Sequence, residues 1–264
     1  MGVGMTSASP KIEFDNVTKI FKHKGKEETV LENISFKIFP DEFICILGPS
    51  GCGKSTILGL IAGFIKHQSG TVLFNSKTIK RPESSRTLVF QDYALFPWLN
   101  IMDNVAFGLT TKNVSKSQIE EKVLYYLNLV GLSDYKDHSI SQISGGMKQR
   151  VALARALAAE PEVLLLDEPF GALDQQTREN MQIEILRLWA TKKRTVVFVT
   201  HSVDEALKLA DRILFVSGKP GKLILDIKVE EKRPRNFGNS NLNQIRSQIL
   251  EKLGQADTFL GAGI

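Results

Sequence analysis

The segment Gly48-Pro49-Ser50-Gly51-Cys52-Gly53-Lys54-Ser55 fits the pattern G-x-x-x-x-G-K-S/T, with an apolar β-type run, Glu42–Leu47, before it and helical periodicity after it. Glycines at these places let the backbone curl around an anion with no side chain in the way, so successive N–H groups point inward. A helix beginning near Gly53 adds the positive end of its dipole. Lys54 then reaches the β- and γ-phosphates of a nucleotide such as ATP, Ser55 offers a hydroxyl to Mg²⁺, and Thr56 extends the contacts by one residue. A glycine-rich turn without a ligand is the bland alternative, and the strand–loop–helix context weighs against it.

A bound nucleotide needs a carboxylate for its metal and a base for the attacking water. Val163-Leu164-Leu165-Leu166-Asp167-Glu168-Pro169 supplies both, with a buried-type strand ending in two acids. Asp167 is expected to hold Mg²⁺ and Glu168 to act as general base. His201 follows the apolar strand Val196–Val199 and is expected at the γ-phosphate, against the ordinary alternative of a satisfied surface or core histidine.

The elements that must position these groups alternate. Lys11–Phe21 and Leu31–Phe39 read as strands around a charged loop, Lys22–Glu28. Ile57, Leu58, Leu60, Ile61 and Phe64 cover one helix face. Short strands follow at Thr71–Phe74 and Thr87–Phe90. Helical patterns then dominate to about residue 160: one that Asp103 can cap, one at Ser117–Leu129, and one opening near Ser144. Strand and helix alternate again from Val163–Asp167 through Thr177–Thr191, Thr195–Thr200, Val203–Ala210 and Arg212–Val216, and Leu242–Leu253 reads as a last amphipathic helix. The order implies an α/β fold: a mostly parallel P-loop NTPase core, an N-terminal antiparallel β part, and a helical insertion. The expected division is one domain, 11–235, with a core of 11–91 and 161–235, the insertion at 92–160, and a helix and tail at 236–264.

Composition narrows the class further. The chain has 264 residues, 42% hydrophobic and 24% charged, which excludes disorder and fibrous repeats. No apolar run approaches the ~18–20 residues that span a bilayer, and MGVGMTSASP lacks the pattern of a secretory signal. Cys45 and Cys52 lie too close together to frame a secreted fold, which favours a reducing compartment and a soluble cytoplasmic protein, while the net charge of +5 alone decides nothing about partners. Cys45 is expected to be buried and inert. Cys52, beside Lys54 at a helix N-terminus, reads either as a thiolate-prone reactive group or as a space-filler.

Ile143-Ser144-Gly145-Gly146-Met147-Lys148-Gln149-Arg150 resembles the signature motif of the ATP-binding-cassette (ABC) ATPases, and Gln91, Asp174 and His201 fall where that family has its Q-, D- and H-loops. The resemblance runs from about Ile12 to Ile227. The family's usual Leu and Gln are Ile143 and Met147 here, the second removing a polar group that could approach the ribose. Ser144, Gly145 and Gly146 open a helix, so their N–H groups make a second anion site, and one chain has no use for two unless two copies meet. The resemblance implies a head-to-tail homodimer with each signature over the other copy's ATP, Gln91 at the metal and in catalysis, and Phe21 stacked on adenine. Phe21 can equally be edge-strand packing.

Three kinds of protein share this ATPase. No heptads separate Lys54 from Asp167, unlike the chromosome-structuring members, and a single phosphate loop differs from the two-cassette translation factors. A transporter subunit fits, with a nucleic-acid or ribosome ATPase as the alternative. The run Asp92–Asn100, DYALFPWLN, is either core or a partner groove on its residues alone. By resemblance, Gln91–Asn100 meets a membrane permease, on the cytoplasmic side, with a solute-binding protein acting indirectly and no nucleic acid involved. VFQDYALFPWLNIMDNV, EPFGALD, HSVDEAL, Pro220-Gly221 and Arg233-Pro234-Arg235 are similar to nitrate, sulfonate, taurine and bicarbonate importer ATPases, with riboflavin and pyrimidine importers close by. About 30 residues beyond Arg235 leave no room for a regulatory barrel.

Overall fold

The computed structural model describes residues 9–23, 25–110, 114–191 and 193–261. The strands are β1 (Ile12–His23), β2 (Lys26–Ile38), β3 (Phe43–Leu47), β4 (Ser69–Phe74), β5 (Lys77–Thr78), β6 (Arg86–Val89), β7 (Val163–Asp167), β8 (Thr195–Thr200), β9 (Arg212–Ser217) and β10 (Lys222–Lys228). The helices are α1 (Lys54–Ala62), α2 (Ile101–Thr110), α3 (Lys116–Leu129), α4 (Gly145–Ala158), α5 (Gln175–Thr191), α6 (Val203–Leu209) and α7 (Ser240–Gly261). They form two compact units, one of residues up to Pro82 with those from Thr195 onward, the other of Glu83–Arg194.

In the first unit β3 pairs in parallel with both β8 and β9, while β10 closes against β9 antiparallel. Every residue of β3 and β8 is buried, as continuous apolar strands of a parallel sheet covered on both faces must be. The expected antiparallel part is present as a second sheet in the order β2-β1-β4-β5. Its inward residues meet across the β1–β2 ladder, where Phe14 and Phe36 are paired and their rings stack at 4.5 Å. In the second unit β6 runs parallel to β7, with Val89 opposite Leu166. Helices α2 and α3 pack on α4, which buries nearly all of Val151–Ala158.

The structure corrects several boundaries. The charged stretch Lys22–Glu28 is drawn largely into the β1–β2 ladder, with His23 paired to Lys26 and Lys22 joined to Glu27 at 2.6 Å. Backbone pairing outweighs polarity on a solvent-facing hairpin. Helix α1 stops at Gly63, whose left-handed conformation returns its N–H to Gly59 and Leu60, so Phe64 leaves the helix and is 56% exposed. Asp103 lies inside the first turn of α2, and the Oδ1 of Asn100 accepts from its N–H at 2.7 Å as the actual cap. Strand β10 was not expected, although its alternation of half-buried Leu223, Leu225 and Ile227 with exposed neighbours is a legible period of two. The C-terminal helix is longer than Leu242–Leu253 and buries Leu242, Ile245 and Ile249. Residues 1–8, which carry most of the N-terminal signal reading, lie outside the described residues.

Candidate functional site

The phosphate-loop half is built in the first unit. Strand β3 ends at Leu47, and the chain turns through Gly48–Gly53 into α1. Gly51 and Gly53 have φ of 80° and 94°, a region that L side chains rarely adopt. Gly48 is required for a different reason, since a Cβ there would lie 1.9 Å from the carbonyl oxygen of Val216 on β9. The loop is therefore shaped by its strand neighbours as well as by its own glycines. Lys54 is buried, and its ammonium donates to the carbonyls of Gly48 at 2.9 Å and Pro49 at 2.8 Å, which ties the start of the loop to the start of the helix. Ser50, Gly51 and Ser55 are exposed, whereas Pro49 and Thr56 are half-buried.

Cys52 takes the space-filling alternative. It is 1% exposed, and its Sγ would lie 3.0 Å from a Cβ on Gly48. Burial pushes its thiol up, outweighing the lowering by the Lys54 ammonium and by backbone N–H groups. The expected reactive thiolate is overturned: desolvation defeats a helix N-terminus and one cation. Cys45 is fully buried, its thiol raised still more clearly by burial. Both cysteines are accordingly expected to resist brief alkylation of the folded protein and to become labelled only as it unfolds. Mass spectrometry showing rapid labelling of Cys52 in the native chain would contradict this.

His201 is exposed at the end of β8, in the same unit. Thr200 lies opposite Leu47 in the parallel β3–β8 ladder, so His201 leaves the sheet at the edge from which the phosphate loop leaves it. Its neighbours are fixed on both sides. Thr200 Oγ1 donates to the Glu205 carboxylate at 2.6 Å and accepts from the Ser202 N–H at 3.0 Å, while Ser202 Oγ accepts from the Glu205 N–H and caps α6. Phe21 is on β1, which is central in its sheet, though at this point only β2 runs alongside, with Glu28 opposite. The ring is 39% exposed with the Lys19 ammonium 4.4 Å from its centroid.

The second unit carries the carboxylates and the signature. Asp167 ends the buried strand β7, and Glu168 follows half-buried at φ 45°. The carbonyl of Glu168 accepts from the Gly171 N–H at 3.1 Å and from Gln149 Nε2 at 3.3 Å. Ser144 caps α4 through the Met147 N–H at 3.3 Å, leaving Gly145 exposed and Gly146 half-buried at the helix start. Ile143 is buried, as its apolar type suggests. Asp174 caps α5, accepting from the Thr177 N–H at 2.9 Å, and that backbone bond holds its carboxyl below the ordinary range. Gln91 is exposed just beyond β6.

The segment after Gln91 is organised by residues whose roles the sequence did not announce. Asn104 is fully buried, accepts from the Phe96 N–H and donates to the carbonyls of Phe96, Leu99 and Asn100. Phe96 stands 5.4 Å from Trp98 and 4.3 Å from Phe107, and Trp98 and Phe107 are 74% and 47% exposed. Asp92–Asn100 is not core: no residue of it is buried, Trp98 is its most exposed aromatic residue, and the segment hangs on the buried amide of Asn104. Arg155 and Gln149, both on α4, were likewise unannounced in their contacts. Gln149 just before the apolar run Val151–Ala158 and Arg155 within it are polar residues on an apolar stretch, the signal that could have found them.

A strand-borne phosphate loop and a serine-capped signature helix are the nucleotide-binding parts of an ATP-binding cassette. The chain belongs to the ABC transporter family, whose model matches residues 31–171, and it is an ATPase of that family. It is 40% identical to the aliphatic sulfonates import ATP-binding protein SsuB of Bacillus cereus, over 91% of this chain and 95% of that protein. It is 43% identical to the taurine import ATP-binding protein TauB of Pseudomonas aeruginosa, over 83% and 84%. A solved dimeric structure of a post-hydrolysis state of the ATP-binding cassette MJ0796, bound to ADP and Pi, matches with a TM-score of 0.76 at 31% identity, covering 84% of this chain and 100% of that one.

Proposed function

We propose that this chain energises uptake of a small organic anion, of the sulfonate or taurine kind, through a separate membrane permease. The observation that carries the ATPase part is the phosphate loop, whose left-handed Gly51 and Gly53 and buried Lys54 suit it to a polyphosphate and to little else. The cargo class rests on the likeness to SsuB and TauB. Nitrate and bicarbonate are other small anions of the same subgroup.

Within this reading the cassette is residues 11–235, and the loop from Gly48 to Thr56 binds the phosphates, through the N–H groups of its residues other than Pro49. Ser55, Asp167 and Gln91 are the residues assigned to Mg²⁺. Among the described residues no group of three or more His, Cys, Asp or Glu side chains gathers for a metal. One hydroxyl and one carboxylate suit Mg²⁺, which keeps waters and phosphate oxygens for its remaining positions. When bound, Mg²⁺ neutralises charge developing on the phosphates. Glu168 takes the proton of the attacking water, His201 contacts the γ-phosphate, and Phe21 stacks on adenine. Ser144, Gly145 and Gly146 serve the ATP of a second copy, in a head-to-tail homodimer.

The aromatic surface of Phe96, Trp98 and Phe107 is the permease-facing part. No helix among the described residues is long and apolar enough to cross a membrane, so the membrane contact is read as peripheral, on the cytoplasmic side, with a solute-binding protein acting on the far side. Trp98→Ser is expected to bind ATP and melt like the parent while losing co-purification with the permease. Unchanged co-purification would contradict the docking assignment. A strain lacking this chain is expected not to grow on taurine or an aliphatic sulfonate as sole sulfur source, and full growth on all of them would overturn the cargo class.

A further inference from the structure

Besides Glu160, two stretches of backbone among the described residues of the Glu83–Arg194 unit stand in the left-handed region that residues other than glycine avoid. One is Tyr93–Ala94, with φ of 61° and 45°, and the other is Glu168, with φ of 45°. Such conformations persist only where their surroundings hold them. Both are held by α4. The Arg155 guanidinium donates to the carbonyls of Ala94 at 2.9 Å and Tyr93 at 3.0 Å, and lies 5.3 Å from the centre of the Phe96 ring. Nearer the start of the helix, Gln149, 4% exposed, donates to the Glu168 carbonyl at 3.3 Å and accepts from the Ala172 N–H at 3.2 Å.

The two grips are about 9 Å apart along the helix axis, at ~1.5 Å per residue. Between them Val151, Ala152, Leu153 and Ala154 are buried. A rod packed this closely transmits a displacement and does not absorb it. Near the same end, Tyr93 stands over the signature: its hydroxyl would be 3.7 Å from a Cβ on Gly145, and Gly146 faces Ala172 and Leu173 in the same way.

We propose that α4 is the mechanical link between the docking segment and the catalytic carboxylate, with Arg155 holding Tyr93–Ala94 and Gln149 holding the backbone of Glu168 and Ala172. A partner seated on Phe96 and Trp98 displaces Tyr93–Ala94, Arg155 moves with them, and the shift of α4 re-aims Glu168 through Gln149. Gln149 and Arg155 are positioning residues and touch no reacting atom. The inference rests on the reading of Glu168 as base and of Phe96–Trp98 as docking surface.

The test is a double-mutant cycle on the full chain, reading kcat, ATP Kd and Tm. Gln149→Met removes both amide bonds at nearly constant volume. It is expected to lower kcat about 10- to 100-fold, the range a misplaced catalytic group produces, with Kd within about twofold and cooperative melting retained. Gln149→Glu, which keeps the acceptor for Ala172 but loses the donor to Glu168, is expected to show the same split and guards against misfolding of the first variant. Arg155→Lys is expected to lower kcat in the same direction. The double variant should fall short of the product of the single losses by at least about threefold, as coupled sites do. Multiplicative losses, or a Gln149→Met chain with parental kcat, would overturn the link. Glu168→Gln is run alongside: if it loses turnover while Gln149→Met does not, the link alone fails. If Glu168→Gln turns over normally, the assignment of the base fails and the link fails with it.

Discussion

Glu168→Gln is expected to bind ATP as the parent does and to hydrolyse it about 10²- to 10⁴-fold more slowly, the usual contribution of a positioned general base. The substitution exchanges a carboxylate for an amide of the same shape. Its backbone carbonyl accepts from Gly171 and Gln149, and both of these bonds are open to the amide variant as well. The left-handed turn should therefore survive, while the ability to take a proton is lost. Single-turnover hydrolysis of labelled ATP measures the chemical step, and size-exclusion chromatography in ATP should show a dimer that accumulates because it no longer resolves. A variant that keeps most of its turnover would remove Glu168 from the role of base.

Lys54→Ala should act on the other parameter. Its ammonium is the one side-chain cation within the phosphate loop, and a hydrogen bond to a charged partner contributes about 1.5–3 kcal/mol. Nucleotide affinity is expected to fall about 10- to 100-fold by that measure. Titration with a fluorescent ATP analogue reads this directly. The loss has a second source, because the same ammonium ties the carbonyls of Gly48 and Pro49 to the head of α1. Lys54→Arg is expected to fail also, since a planar guanidinium does not fit a buried site shaped around a compact ammonium. Affinity that survives Lys54→Ala would place the phosphate-binding charge elsewhere.

The two variants separate because the two residues sit at the ends of different strands. Lys54 follows β3 and Glu168 follows β7. That much was legible in the chain. A run of four or five apolar residues that breaks abruptly into Gly48–Lys54, or into Asp167–Glu168, marks a buried parallel strand delivering polar groups at its edge. The same holds for the serine at the head of α4, whose capping of Met147 follows from local geometry. Residue type and near-neighbour spacing carry information of this kind without help from the rest of the fold.

What lay beyond the sequence depends on which groups distant segments bring together. Cys52 looks activated in one dimension, next to a lysine and a helix start, but the packing of the loop under Val216 and Gly48 buries it and reverses the direction of its pKa. Asp103 looks like a cap until Asn100, closer to the true helix start, takes the bond. The contacts of Gln149 with Glu168 and of Arg155 with Tyr93 join residues far apart in the chain, and no periodicity encodes them. Helix periodicity shows which face of α4 is buried. Only the folded chain decides what that face touches, because a hydrogen bond between distant segments depends on the path of the backbone between them and not on the identity of either residue.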